Sequence, residues 1–228
     1  MRIVLTGGSS GLGALLMKRL KVDNMVYDWS LTTGVDVRDL DSVWQAAASV
    51  GYVDVLINCA GINALDYLPD LSPEVWEDVM DTNARSIFFT SQTLINNHQL
   101  NGGTILNIVS NASHMPMTSS LAYNASKGAA AIMTKQMARE LFKSHSITVF
   151  GISPNKLAGT MMSETIDKRV CELRGWTEEE ARQYQLAALP AGEETDPDTL
   201  AEFIAFLLSS KQRHKFLNGC IIPYGGPS

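Results

Sequence analysis

The sequence predicts a doubly wound, mostly parallel α/β sheet built as a single domain over residues 1–228. Three observations predict it. Apolar runs of strand length, such as Ile3-Val4-Leu5 and Ile147-Thr148-Val149-Phe150, are continuous rather than alternating, which suits strands buried on both faces. Longer segments with helical periodicity alternate with these runs. A glycine-rich turn, Thr6-Gly7-Gly8-Ser9-Ser10-Gly11-Leu12-Gly13, joins the first strand to the first helix.

Composition narrows the class further. A length of 228 residues sits at the upper end of what one hydrophobic core supports. With 45% hydrophobic and 18% charged residues the chain is globular throughout. The net charge of -6, with no basic block, argues against nucleic acid or an anionic membrane as partner. Cys59, Cys171 and Cys220 are odd in number and lack a C-x-x-C pair, as expected of reduced thiols. The histidines at 98, 114, 145 and 214 show no ligand spacing, so no metal site is expected. No apolar run reaches the ~20 residues a membrane span needs, and the first strand meets the glycine turn at once, leaving no visible targeting segment. The expectation is a soluble cytoplasmic protein.

Each element can be justified in order. Strand one, residues 3–5, is followed by the glycine turn and the helical pattern of residues 14–20. Strand, glycine turn and helix N-terminus together form an anion site, since free N–H groups and the positive dipole end face the turn. Glycines allow a tight turn and close approach to a pyrophosphate, so the arrangement predicts a Rossmann-type dinucleotide site. Strand two, residues 24–27, ends in Asp28. A carboxylate there accepts hydrogen bonds from ribose hydroxyls and repels a 2′-phosphate, which predicts NAD, with NADP as the alternative. Between Asp28 and Asp36 only a turn fits; Asp36-Val37 is expected to end a short third strand, and residues 39–50 to form a helix starting at Asp39 or Asp41. The fourth strand, residues 53–57, runs into Asn58-Cys59-Ala60-Gly61, where small residues permit close ligand approach.

Ser72-Pro73-Glu74 is a helix start, and the helical pattern continues to about Asn97 with polar Asn83 on an apolar face. Residues 104–109 form the fifth strand, which ends at Ser110, a position that suits a cap for the following turn. An Ala-rich helix from Tyr123 to about Phe142 carries Tyr123 and Lys127 one turn apart on one face. A phenol titrates near pH ~10 unless a neighbouring ammonium lowers that value, so the pair reads as an acid/base and its tuner, or simply as a solvated face. The sixth strand, residues 147–152, is broken by Pro154-Asn155. Residues 155–190 form a helix-rich excursion suited to a substrate lid. A helix over residues 197–208, capped by Asp196, and a last strand over residues 219–223 complete the chain.

Taken jointly, Thr6-Gly7-x-x-x-Gly11-x-Gly13, Asn58-x-Ala60-Gly61, Asn83, Ser110 and Tyr123-x-x-x-Lys127 resemble the short-chain dehydrogenase/reductase family over nearly the whole chain. The resemblance implies an NAD(P)-dependent oxidoreductase that interconverts an alcohol and a ketone. Tyr123 would exchange the proton with the substrate oxygen, Ser110 would hold that oxygen, and Lys127 would lower the tyrosine's pKa and bind the nicotinamide ribose. Asn83 would hold a water linking Lys127 to solvent. Gly7, Ser9, Ser10, Gly11, Leu12 and Gly13 would line the pyrophosphate and ribose, Asp36 and Val37 the adenine, and Asn58, Ala60 and Gly61 the adenine ribose side. Pro154 and Thr160 fall where the family contacts the nicotinamide amide. Here, however, Asn155 replaces the usual glycine, and Thr160 sits about one residue late. The family commonly assembles as tetramers or dimers, and the small residues Gly128, Ala129, Ala130 and Ala131 would allow close helix packing in a homo-oligomer. The competing reading is a dinucleotide-binding regulator or scaffold that keeps the fold without turnover.

Overall fold

The computed structural model describes residues 1–210 and 214–226. Among them, six strands form one wholly parallel sheet: β1 (Arg2–Thr6), β2 (Met25–Trp29), β3 (Val55–Asn58), β4 (Thr104–Ile108), β5 (Thr148–Pro154) and β6 (Ile221–Tyr224). The spatial order is β2-β1-β3-β4-β5-β6. The helices are α1 (Gly11–Leu20), α2 (Leu40–Ala48), α3 (Pro73–Met80), α4 (Ser86–Asn96), α5 (Leu121–His145), α6 (Met161–Arg174), α7 (Glu178–Ala187) and α8 (Pro197–Leu208).

Two cores explain why continuous apolar runs became strands. Side chains alternate across a strand, so Ile3 and Leu5 join Leu16, Leu20, Leu200 and Ile204 beneath α1 and α8. Val4, between them, joins Val43, Ala47 and Leu94 on the α2 and α4 side. The in-register neighbours Val55 and Ile57 fall on the α1 and α8 side, whereas Leu56 falls on the other. Both faces are therefore buried. The order reverses at β1, which pairs with β2 on one side and β3 on the other. Such a switch point opens a crevice at the carboxyl ends of the strands, where open α/β sheets bind ligands.

Three expectations need correction. The short third strand at Asp36-Val37 does not form, so β2 is the sheet edge and the described strands number six rather than seven. A parallel neighbour needs a crossover of a dozen or more residues. The six residues between β2 and Asp36 instead hold a 3₁₀ turn at Leu31–Thr33, after which Arg38 holds the Asp36 carboxylate at 2.8 Å. The single helix expected from Ser72 to Asn97 is α3 and α4 joined by a π turn at Asp81–Arg85. Near this widened turn the Ser86 hydroxyl donates to the Thr82 carbonyl at 2.6 Å, an alternative partner for a helical backbone group. The last strand starts at Ile221 rather than Gly219, because Gly219 adopts a left-handed φ of 78° and Cys220 N bonds back to Leu217. The starts at Ser72-Pro73, Asp39 and Asp196 form as the sequence predicts, each with its side chain accepting from backbone N–H groups of the first turn.

Candidate active site

The catalytic candidates converge at the carboxyl ends of β3 and β4. Ser110 follows β4, and its hydroxyl both accepts from Ala112 N and donates to Asn111 Oδ1, each at 3.2 Å. It therefore caps the short turn Asn111–Ser113, and it is the neighbour that opposes the rise of the Tyr123 pKa. α5 supplies Tyr123, Ser126 and Lys127. Lys127 is 5% exposed; its amine donates to the Ile108 carbonyl at 2.9 Å and lies 5.8 Å from the centre of the Tyr123 ring.

The π turn carries Asn83 to the same place. Its Oδ1 accepts from Ile62 N at 2.8 Å, and its Nδ2 donates to the Ile62 carbonyl at 2.9 Å and to Ser126 Oγ at 3.0 Å. Ser126 in turn donates to the Tyr123 carbonyl at 2.8 Å. Asn83 and Lys127 meet at Gly61, where an added Cβ would stand 3.4 Å from Asn83 Oδ1 and 3.7 Å from Lys127 Nζ. Glycine keeps that space open.

The electrostatics differ from the expectation in one respect. Burial raises the Tyr123 pKa above the usual phenol value, opposed only by the hydrogen bond to Ser110; Lys127 does not lower it in this arrangement. Burial instead pushes Lys127 itself down to about 8, with the nearby Cys59 thiol opposing. The same burial lifts Cys59 to about 12, so that thiol stays protonated and inert at neutral pH. Two desolvated groups thus face each other, the phenol holding its proton and the amine readier to release one.

The glycine turn fits a dinucleotide phosphate. A Cβ on Gly13 would sit 2.0 Å from the Gly7 carbonyl oxygen, and one on Gly7, at φ +70°, would sit 2.8 Å from Ala60 Cα. Ser9, Ser10 and Gly11 are exposed, whereas Leu12 is buried and anchors α1. Ser10 occupies the α1 N-cap without a side-chain cap, and the first turn contains no acidic residue, which leaves its N–H groups to an anion. Thr6 Oγ1 accepts from both Cys59 N and Ala60 N at 3.0 Å and so fixes the strip from Asn58 to Gly61 against the turn. Asp28 accepts from Gly8 N at 3.0 Å and from Ser30 Oγ at 3.0 Å, placing its carboxylate beside the turn.

Other candidates are positioned differently. The Asn58 side chain points inward, donating to Asn107 and accepting from Thr90. Val37 packs into the α2-side core, which leaves its backbone for a ligand. Pro154 ends β5, paired with Tyr224. Asn155, in the place of the family's glycine, ties Gly225 and Thr195 together. Thr160 caps α6, accepting from Ser163 N at 3.2 Å, and its methyl would stand 3.9 Å from a Cβ on Gly11. Despite its altered spacing, Thr160 faces the glycine turn across the crevice.

Sequence reasoning missed Ser126, Asn107 and Arg38. Ser126 stood inside the Tyr123-x-x-x-Lys127 segment, one residue before the lysine, and its type could have marked it. Asn107 bridges Asn58 and Thr134 Oγ1, each at 2.9 Å; a polar residue in the middle of an apolar strand was its signal. Arg38 binds Asp36 and, at 3.1 Å, Asp78, a long-range contact that carries no local signature.

Comparison with known proteins identifies the family. The family model described as short chain dehydrogenase matches residues 28–170, more than half of the chain. The 2-dehydro-3-deoxy-D-gluconate 5-dehydrogenase of Escherichia coli (strain K12) is 32% identical over 204 residues, covering 86% of this chain and 75% of the relative. The L-xylulose reductase of Bos taurus is 27% identical over 99% of this chain and 95% of its own. Among solved structures, a variant of actinorhodin polyketide ketoreductase with NADPH superposes with a TM-score of 0.85 at 25% identity, covering 99% of this chain and 96% of that one. A short chain dehydrogenase family protein from Francisella tularensis, at 24% identity over 97% of this chain and 96% of its own, gives 0.84 and shares the fold. The chain belongs to the short chain dehydrogenase family and is an NAD(P)-dependent oxidoreductase acting on CH–OH groups.

Proposed function

We propose that Tyr123 is the acid/base in the interconversion of a secondary alcohol and a ketone. The observation that carries this reading is the convergence of Asn83 and Lys127 on Gly61, with Lys127 on the helix that also carries a Tyr123 held protonated by burial. Gly7 through Gly13, Asp28, the strip from Asn58 to Gly61 and Thr160 would hold the dinucleotide, and the nicotinamide, when bound, accepts or donates the hydride. Ser110 positions the carbonyl oxygen and Tyr123 delivers its proton to it, so a developing alkoxide meets a donor already in place. Lys127 then resupplies the tyrosine, and is itself linked to solvent by a water held by Asn83 Oδ1, which keeps acceptor capacity beyond its bond to Ile62 N.

NAD is the favoured cofactor. The Asp28 carboxylate beside the turn supports ribose recognition and opposes a 2′-phosphate, and the Arg38 guanidinium is engaged by Asp36 and Asp78. The named relatives act on sugar acids and xylulose, which supports a small polar alcohol or ketone as substrate. Residues 155–190 serve as the substrate lid: Arg169 of α6 reaches across to the Leu65 carbonyl at 3.1 Å and to Asp66 at 2.5 Å. Exposed Phe88 on α4 and Ile132 on α5 support assembly into a homo-oligomer.

Tyr123→Phe tests the reading. Turnover with a panel of ketones and alcohols, followed by nicotinamide absorbance with each cofactor, should fall by at least about 10²-fold, while cofactor binding followed by fluorescence is retained. Unchanged turnover would remove Tyr123 from the mechanism. Turnover absent with every substrate in the unsubstituted protein would favour the regulator.

A further inference from the structure

The lid packs lightly on the rest of the molecule. Of the fourteen residues of α6 only Ser163 is buried, and of the ten of α7 only Ala181. Elements with so little buried surface are the ones that open most readily. Gly159 and Gly175 flank α6 at φ +61° and +66°, and a Cβ added to either would meet nothing within 4 Å. They serve the turns at the two ends of the helix rather than its packing, as hinge positions do. α7 is tied to α6, because the Arg174 guanidinium lies 4.7 Å from the ring centres of both Trp176 and Tyr184. At the root of the lid Lys156 binds Asp167 of α6 and Glu194 ahead of α8.

Arg169 fastens the far side. From Thr160, which faces the glycine turn, the helix rises about 14 Å to Arg169, and so crosses from the dinucleotide side to the loop that leaves Gly61. There Arg169 Nε donates to the Leu65 carbonyl at 3.1 Å and Nη2 to Asp66 Oδ1 at 2.5 Å. Glu172, one turn on, accepts from Nη1 at 2.9 Å and aims the guanidinium toward the loop. The contacts continue beyond Asp66. Its backbone N–H donates to the Ser119 carbonyl at 2.8 Å, and Asp66 forms a parallel bridge with Ser120. Ser119 stands at φ +59°, a left-handed conformation that an L-residue keeps only where its neighbours hold it. Ser120 is the N-cap of α5, and its carbonyl accepts from the N–H of Asn124, the residue after Tyr123, at 2.8 Å. A continuous line of contacts therefore joins lid, mouth loop and the start of α5.

We propose that Arg169 is a positioning residue for the reaction: with Asp66 it forms a clasp that shuts α6 and α7 over the crevice, and through Asp66 and Ser119 the clasp sets the start of the helix that bears Tyr123. The proposal rests on the reading of residues 155–190 as the lid and of Tyr123 as the acid/base. The test is a double-mutant cycle in the full chain, Arg169→Met, Asp66→Asn and both together, read by amide hydrogen exchange with and without NADH. Asparagine at 66 keeps the backbone bond to Ser119 and removes only the charge. Each single variant should speed exchange across α6 and at the Asp66 and Asn124 amides by about fivefold, with β1 unchanged, and the double variant should be no faster than either. The pair is partly exposed, so about 0.5 M sodium chloride should bring the unsubstituted protein close to the variants and leave the variants as they were. Exchange needs no turnover, so it decides the clasp whichever substrate the enzyme takes. In reduction of hydroxyacetone by NADH, Arg169→Met should raise KM for the ketone by about fivefold and lower kcat by about threefold, whereas a loss of folded protein lowers kcat with KM held. Effects that add in the double variant, or exchange at Asn124 that ignores Arg169, overturn the proposal. The expected exchange in a protein that Tyr123→Phe leaves fully active would uphold the clasp and defeat the acid/base reading. Turnover lost in Tyr123→Phe, with exchange and KM untouched in Arg169→Met, would do the reverse.

Discussion

Replacing Lys127 with methionine should stabilise the protein while abolishing its turnover. The lysine is 5% exposed, and burial lowers its pKa from 10.5 to about 8. At ~1.4 kcal/mol for each tenfold change in proton affinity, that drop means a penalty of roughly 3 kcal/mol for keeping the charged amine in the folded protein. Methionine has a similar unbranched shape and no charge, but it leaves the Ile108 carbonyl without its donor, a loss of about 1–2 kcal/mol. The variant should therefore gain about 1–2 kcal/mol near pH 7.

The pH dependence separates this account from simple repacking. Below about pH 8 the folded and unfolded chains both carry the lysine proton, so the penalty is complete and constant. Between about 8 and 10.5 the folded chain has released the proton and the unfolded chain still holds it. The unfolded state then binds more protons, and the stability of the unsubstituted protein rises with pH. The advantage of methionine should hold steady from pH 6 to 7.5 and shrink by pH 10. Urea unfolding of the cofactor-free protein at four pH values, followed by the fluorescence of buried Trp29, measures it. A methionine variant less stable at pH 6, or a difference that ignores pH, would refute the reasoning.

Two further substitutions test the framework around the site. Gly13→Ala would force a Cβ to within 2.0 Å of the Gly7 carbonyl oxygen, and α1 cannot withdraw without parting Leu16 and Leu20 from Leu200 and Ile204. It should cost about 1–3 kcal/mol of stability and weaken cofactor binding by about tenfold, or ~1.4 kcal/mol; an unchanged melting temperature and Kd would show that the close approach is dispensable. Ser146 closes α5 in the left-handed region at φ 55° and ψ 29°, so Ser146→Gly should relieve the ~1–2 kcal/mol that an L-residue incurs there, less the ~0.4–1 kcal/mol of added unfolded-chain entropy. Thermal unfolding should show a small rise in midpoint, and a fall would contradict the strain.

How much was legible follows from the range of each signal. The glycine turn and the helix starts at Ser72, Asp39 and Asp196 rest on local chemistry, and they form as the sequence implies. The parallel sheet was legible because both faces are buried, so its strands read as unbroken apolar runs. The third strand failed because a two-residue apolar hint cannot overcome a connection too short for a parallel crossover. The π turn was missed: the segments on either side of it each read as helical, and the tie from Asn83 to Ile62 that accompanies it spans 21 residues. Lys127 was expected to tune Tyr123, yet sequence spacing gives proximity and not solvation. Desolvation, which depends on the whole fold, dominates both groups.

The widened turn at Asp81–Arg85 has a consequence for phase. An α-helix rotates by about 100° for each residue, so a turn holding one extra residue delays every later side chain by that angle. α4 nevertheless sets Ile87 and Leu94 inward, on the rotation it would have if one residue of the turn were missing. The stretch from Pro73 to Asn96 therefore behaves as an uninterrupted helix with a single surplus position, and the bulge beside that position carries the Asn83 amide. Packing is served by the helix without the surplus residue, and the site by the residue itself.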